Sequence, residues 1–314
     1  MIDSGVIALL VAAAVYAVAS TVVSAAVAAA WTAGLRPRSA AALFALRLSP
    51  VASGGVSVIL AVPAFVRFEP VGDERVGPVL VLLAGAGTWL LLAGIWRAAR
   101  ALTLTARLAR TWRRGARPLD LGTDVRADIV DLPFPIVAVV GVVRPRVVIA
   151  TGVASQCSAD ELRRMAAHEQ AHVHAGDNLK RLLLDCAPDV LRLLPAGAAL
   201  AAAWDRAAED AADDSATGDD PAARATLAGA LVKVARLAVQ GTPHTGLAST
   251  LIGIGNVERR VRRLVAGGPS AAAAWRPAGA LAAAVTAGAV WLSAHPEVAR
   301  GIHAGLEELV RFGR

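Results

Sequence analysis

Apolar runs punctuate the chain. Residues 6–31 form a nearly unbroken hydrophobic stretch, longer than the ~20 residues a helix needs to cross a bilayer. Asp3 precedes it, and no basic segment does, so it reads as a retained membrane helix and not as a cleaved leader. Residues 48–66 make a shorter run with Pro63 inside it, which neighbouring helices tolerate in a membrane. Residues 76–95 end at Trp96-Arg97, an aromatic and a basic anchor suited to the membrane–water interface. A fourth run, 278–292, follows Trp275, Arg276 and Pro277. It is short for a full span and needs a residue or two from each flank. The pattern predicts a mainly α membrane protein with about four transmembrane helices. Three lie in residues 1–97 and one in 275–294, with a short extracytoplasmic tail at 295–314.

The intervening residues 98–274 have a different rhythm. Residues 98–117 read as a basic helix continuing from the third span along the lipid surface. Residues 125–131, 135–140 and 146–150 are short and rich in Val and Ile, punctuated by Gly141 and Pro145. They predict a small antiparallel sheet, whose edge can pair with an extended substrate strand. Ser158-Ala-Asp-Glu161 is a capping box that starts a helix. Residues 191–204 are apolar but long enough only to dip into a membrane. Asp185, Asp189 and Arg192 bound that stretch, which is assigned to the 98–274 domain at the bilayer surface. An acidic helix follows, broken by Asp219-Asp220-Pro221. Residues 222–240 form another amphipathic helix and 240–246 a loop.

The capped helix carries Met165-Ala-Ala-His168-Glu169-Gln-Ala-His172, an HExxH motif. A helix turns every ~3.6 residues, so His168 and His172 share a face and can bind one zinc ion, with Glu169 placed to take a proton from its water. His174 lies two residues further on and points away from that face. A catalytic zinc needs three protein ligands and an open position. Glu209 is the best third candidate. Asp213, at i+4 from it, can accept the spare N–H of a ligand histidine and fix its tautomer. His244, in a loop, is a candidate oxyanion stabiliser.

Composition and charge refine this picture. The 314 residues are 56% hydrophobic with a mean hydropathy of +0.54, too apolar for an ordinary soluble domain. The formal charge of +7 comes largely from arginines. These lie beside the apolar runs, in 36–47, 97–117 and 259–263, as positive-inside topology requires. The N-terminus is therefore expected outside and residues ~98–274 in the cytoplasm of a bacterial cell. Direct nucleic-acid binding is not expected, since Trp112 is the sole aromatic among the basic residues of 98–117. Cys157 and Cys186 have neither metal-type spacing nor a disulfide framework.

Several of these motifs together resemble a known family. Pro133-Phe134, the run Gly141-Val-Val-Arg-Pro145-Arg-Val-Val-Ile149, Glu161-Leu162, and His168 to His172 with Asp177-Asn178 are similar to the BlaR/MecR-type integral-membrane metallopeptidases. Glu209-x-x-Ala212-Asp213 also resembles the HtpX-type membrane proteases. The resemblance implies a gluzincin-type α+β protease domain in residues 98–274, with His168, His172 and Glu209 as ligands of one zinc and Glu169 as catalytic base. BlaR/MecR sensors carry a penicillin-binding domain after their last helix, whereas only residues 295–314 follow here, so sensing by acylation is not expected.

The expected activity is zinc-dependent endoproteolysis of a cytoplasmic or membrane-proximal protein. A transcriptional repressor, cleaved in signal transduction, is one candidate substrate; membrane-protein quality control is the alternative. A third reading is a non-catalytic membrane transducer with a structural zinc. Glu169 argues against it, because a structural zinc does not need that carboxylate.

Overall fold

The computed structural model describes residues 4–68, 76–122, 124–241 and 254–267, with isolated positions from 295 to 305. The expected fourth span, most of the 295–314 tail and His244 lie outside the described residues. The chain divides into two compact units.

The first unit holds residues up to Ala98 together with Leu184–Ala203. Three helices, α1 (Ser4–Thr32), α2 (Ala40–Phe68) and α3 (Pro78–Arg113), are long and apolar enough to cross a membrane. Ile7, Val11, Phe65 and Leu80 form the core between them. α2 begins several residues before the apolar run because Ser39 caps it, accepting the Ala42 N–H. It stays helical through Pro50 and Pro63. A proline donates no backbone hydrogen bond, which strips the carbonyl four residues earlier of its partner. At Pro50 that carbonyl belongs to Leu46, and the Ser49 hydroxyl donates to it at 2.9 Å, the kind of local repair a membrane helix needs. α1 and α3 approach closely at Gly87, where an added Cβ would collide with the Ala13 carbonyl oxygen. Small residues permit such backbone contact between membrane helices.

Residues 184–203, assigned from sequence to the protease domain, group with these helices. Each of the three grips the connector leading to α7 (Pro195–Thr217). The Tyr16 hydroxyl donates to the Pro188 carbonyl at 3.0 Å. Arg97 donates to the carbonyls of Asp185 and Ala187. Arg47 and Asp189 form a 2.8 Å ion pair with almost no solvent exposure. Buried charges persist only when paired in this way.

The second unit comprises residues 99–183 and 204–273. α3 continues into the basic segment as one helix, but it ends at Arg113 and not at the expected 117, where Arg117 opens the first strand. The sheet contains β1 (Arg117–Leu119), β2 (Ala127–Val130), β3 (Val137–Val140) and β4 (Arg146–Ala150), ordered β1-β2-β4-β3. It is mixed, which corrects the antiparallel expectation: β2 and β4 run parallel, while β1–β2 and β3–β4 are antiparallel. The chain leaves β2 for the edge, forms β3, and turns back so that β4 inserts between them. The β1–β2 and β3–β4 pairs join consecutive strands and the parallel β2–β4 pair does not; the Arg-Pro-Leu of β1 carries no β pattern.

Val147, Ile149, Val153, Met165 and Leu227 join the sheet, α4 (Thr151–Gln156), α5 (Ala159–Ala175) and α8 (Pro221–Gly241) in one core. Leu264 of α9 (Ile254–Ala266) joins them. α6 (Asp177–Cys186) follows α5 after a single residue.

The Gly87 contact gives a direct check on the helix packing. Gly87→Ala is expected to lower the melting temperature of the detergent-solubilised protein by several degrees, since overpacking costs ~1–3 kcal/mol. Gly85→Ala, with nothing within 4 Å of its added Cβ, should melt like the parent. Equal melting of the two variants would refute the close approach.

Candidate metal centre

The site is built outward from α5. Its start is fixed by the capping box: the Ser158 side chain accepts the Glu161 N–H at 3.2 Å, and Glu161 accepts the Ser158 N–H at 2.7 Å. Lys233 of α8 donates to the same carboxylate and holds its pKa below the ordinary value. Leu162, Met165, Ala166, His168 and His172 make the buried stripe, at the spacing of one helical face. His174 is exposed, in keeping with its predicted direction.

α5 ends at Gly176, whose φ of 69° and ψ of 31° are left-handed, a conformation glycine adopts without strain. The reversal starts α6 at once and brings Asp177 back over the preceding turn. Its Oδ2 lies 2.7 Å from His172 Nδ1. His172 Nε2 faces His168 Nε2 at 3.2 Å, with the two rings edge to face.

α7 supplies the opposite wall. Glu209 Oε2 lies 3.4 Å from His168 Nε2, and its Oε1 lies 3.5 Å from His172 Nε2. The three residues thus offer ligand atoms all within 4.8 Å of one another. Two imidazole nitrogens and one carboxylate oxygen are the donor set of a catalytic zinc site with a place left for water. One turn on, Asp213 is fully buried with Oδ1 3.0 Å from His168 Nδ1. Each histidine therefore meets a carboxylate at Nδ1 and turns Nε2 towards Glu209. Outer carboxylates orient metal-binding histidines in this manner.

Glu169 does not join the ligand cluster. Its Oε2 accepts the backbone N–H of Val139, on strand β3, at 3.0 Å. Burial pushes its carboxyl pKa up, against the opposing pull of His168 and His172. Burial also disfavours charge on the histidines, yet the carboxylates beside them prevail. Asp213 and Glu209 raise His168, and Asp177 and Glu209 raise His172 to about 9. Glu209, despite its burial, is held far below the carboxylate range by the two histidines and Arg260.

Arg260 is the member of the site that the sequence reading missed. It reaches in from α9, pairing with Glu209 at 2.9 Å and with Asp213 at 2.9 Å through Nε. In sequence it belongs to Arg259-Arg260-Val-Arg262-Arg263, a cluster that fits a positive-inside loop equally well. The usable signal was the strong amphipathicity of that segment, which turns Arg260 inward and Arg262 outward. Asp177, quoted only as part of a resemblance, proves to be a direct histidine partner. His244, the candidate oxyanion stabiliser, lies outside the described residues.

These groups open into a cleft of about 350 Å³. β3 forms one rim, and Met165, Leu227, Leu231 and Val234 make an apolar wall beside the histidines. A His-His-Glu cluster with a further carboxylate, in a cleft beside a sheet edge, is compatible with the metal centre of a metallopeptidase. Residues 105–307 match the family model described as Peptidase family M48, and the chain belongs to that family. Comparison with curated proteins and with solved structures gives no match. M48 peptidases are generally zinc-dependent, and the donor set found here fits that ion.

Two outcomes are expected. Purified protein should bind about one zinc per chain, and Glu209→Ala should lose most of that occupancy; full occupancy in the variant would remove Glu209 from the ligand set. The second concerns pH in zinc-free protein. His172 is raised from its ordinary 6.5 to about 9 in the fold. Its protonation therefore stabilises the fold fully below pH 6.5, and that contribution disappears as pH rises through about 9. The melting temperature of zinc-free protein should fall across this window, while zinc affinity should climb because the metal displaces the proton. A flat profile for both would overturn the assignment.

Proposed function

We propose that this chain is a membrane-anchored zinc endopeptidase whose active site faces the cytoplasm. The observation carrying this reading is the placement of Glu169. Its half-buried carboxylate adjoins both histidines yet stays out of the ligand cluster, at the rim of a cleft open to a sheet edge. Zinc, when bound by His168, His172 and Glu209, would polarise a scissile carbonyl and lower the pKa of its water towards ~7. Glu169 would act as the base towards the attacking water and carry its proton to the leaving amine. A carboxyl raised by burial suits this exchange near neutral pH. Asp177 and Asp213 hold the histidine tautomers, and Arg260 fixes Glu209 and Asp213.

The arginines of the α1–α2 loop and of the 97–117 segment support a cytoplasmic catalytic face in a bacterial plasma membrane. The substrate class we favour is a cytoplasmic or membrane-proximal protein, with a transcriptional repressor as the leading candidate, in the manner of the BlaR/MecR type that the motifs resemble. One observation favours quality control of the HtpX type instead. β3, an edge strand beside the cleft, would recognise main chain, which any unfolded segment presents.

Glu169→Gln keeps the size of the side chain but cannot act as a base. It should retain zinc and membrane insertion while cutting hydrolysis of an unfolded polypeptide by at least ~10²-fold. Wild-type rates in this variant would replace the peptidase reading with a non-catalytic transducer. Comparing the proteome of a Glu169→Gln strain with its parent separates the two substrate classes, since regulation spares a single protein and quality control many. A reporter fused at Gly115 should signal the cytoplasmic side; the opposite signal would reverse the topology.

A further inference from the structure

The outer edge of β3 is not uniformly open. β3 and β4 pair with Val137 opposite Ile149 and Val139 opposite Val147, and the Ala150 N–H donates to the Ile136 carbonyl at 2.9 Å. Residues of an antiparallel pair alternate between bonding their partner strand and facing away from it. Ile136, Ala138 and Val140 therefore bond β4, while Val137 and Val139 direct their N–H and C=O groups to the cleft. Val139 is already engaged on both counts. Its N–H goes to Glu169, and its carbonyl accepts the Asn178 side-chain amide at 3.3 Å. The same Asn178 nitrogen donates to the Gly141 carbonyl at 2.9 Å. At the other end Pro135 has no N–H to give.

Together these contacts leave one residue, Val137, with both a donor and an acceptor turned to the cleft. We propose that Asn178 is a positioning residue that closes the edge strand beyond Val137, so that an extended substrate pairs through a single residue and enters in one register. The proposal rests on the peptidase reading above. A substrate residue opposite Val137 gives its carbonyl to the Val137 N–H and its own N–H to the Val137 carbonyl, as in an antiparallel pair. Asn178 follows Asp177 in the first turn of α6, so the turn that orients His172 also sets where the strand closes. Register and metal site share one anchor.

With Asn178 gone, the Val139 and Gly141 carbonyls become available. Registers along a strand differ by two residues when the same face is kept. The freed Val139 carbonyl, although the Val139 N–H stays with Glu169, can accept a substrate N–H, permits a second register and moves the scissile bond by two residues.

The test uses full-length protein in detergent and one extended peptide whose cleavage site is mapped by mass spectrometry. A series of analogues replaces each backbone amide in turn by an ester, which removes one N–H donor. Wild-type protein should show one sensitive residue, losing about tenfold in binding and in cleavage, the scale of one hydrogen bond. Losses at two residues spaced two apart, or at none, would overturn the single pairing. Asn178→Ala should keep the original cut and add a second, displaced by two residues. A single unchanged cut in a folded, zinc-loaded variant would overturn the role of Asn178. Should Asn178→Ala fail to fold, the ester series on wild type still decides the pairing. Binding is read by fluorescence anisotropy with zinc-free wild-type protein as well. If wild type binds the peptides but cleaves none, the peptidase reading falls while the ester series still reports the register. If no peptide binds, the pairing proposal falls.

Discussion

Asp213 is a carboxylate without solvent exposure, and an ionised group so placed must be met by opposite charge and hydrogen-bond donors or the fold loses several kcal/mol, on the order set by burying an unpaired ion. Its partners come from two other helices: Arg260 on α9 and His168 on α5. Satisfying one buried carboxylate therefore draws α5, α7 and α9 together. Glu209 sits one turn before Asp213 on α7, so the same convergence brings it to both histidines. Arg259 with Asp210 and Arg263 with Asp214 extend the α7–α9 contact on either side. Those flanking pairs are partly exposed and contribute little energy. Their effect is to select the register of α9 that delivers Arg260 and not its neighbours.

What could be read from the sequence divides along physical lines. His168, Glu169 and His172 were legible because helical periodicity is local: four residues return to one face whatever the rest of the chain does. The capping box at Ser158 and the extent of α1 were legible for the same reason. Glu209 and Asp213 needed one further step, since ligand chemistry had to stand in for a contact between distant segments. The parallel pairing of β2 with β4 was out of reach. Strand direction in a sheet is decided by tertiary order, and these short runs carry no trace of it. Arg260 was hidden by ambiguity, because an arginine near an apolar run serves topology as readily as an active site. The anchoring of residues 185–189 was hidden for a related reason: their partners, Tyr16, Arg47 and Arg97, lie far away in the chain.

The two histidines obtain their orientation by different routes, and that difference bears on how the site is assembled. Asp177 reaches His172 through a five-residue separation closed by the left-handed Gly176. That contact can form as soon as α5 and α6 exist. Asp213 reaches His168 only after α7 docks. One imidazole is therefore oriented locally and the other by tertiary structure. Only in the packed unit do both Nε2 atoms face Glu209. Carboxylates at each Nδ1, with Glu209 between the Nε2 atoms, raise the pKa of both rings, and a metal bound at the Nε2 atoms would have to displace any proton held there. Arg260 gives Glu209 a positive partner that stays charged throughout.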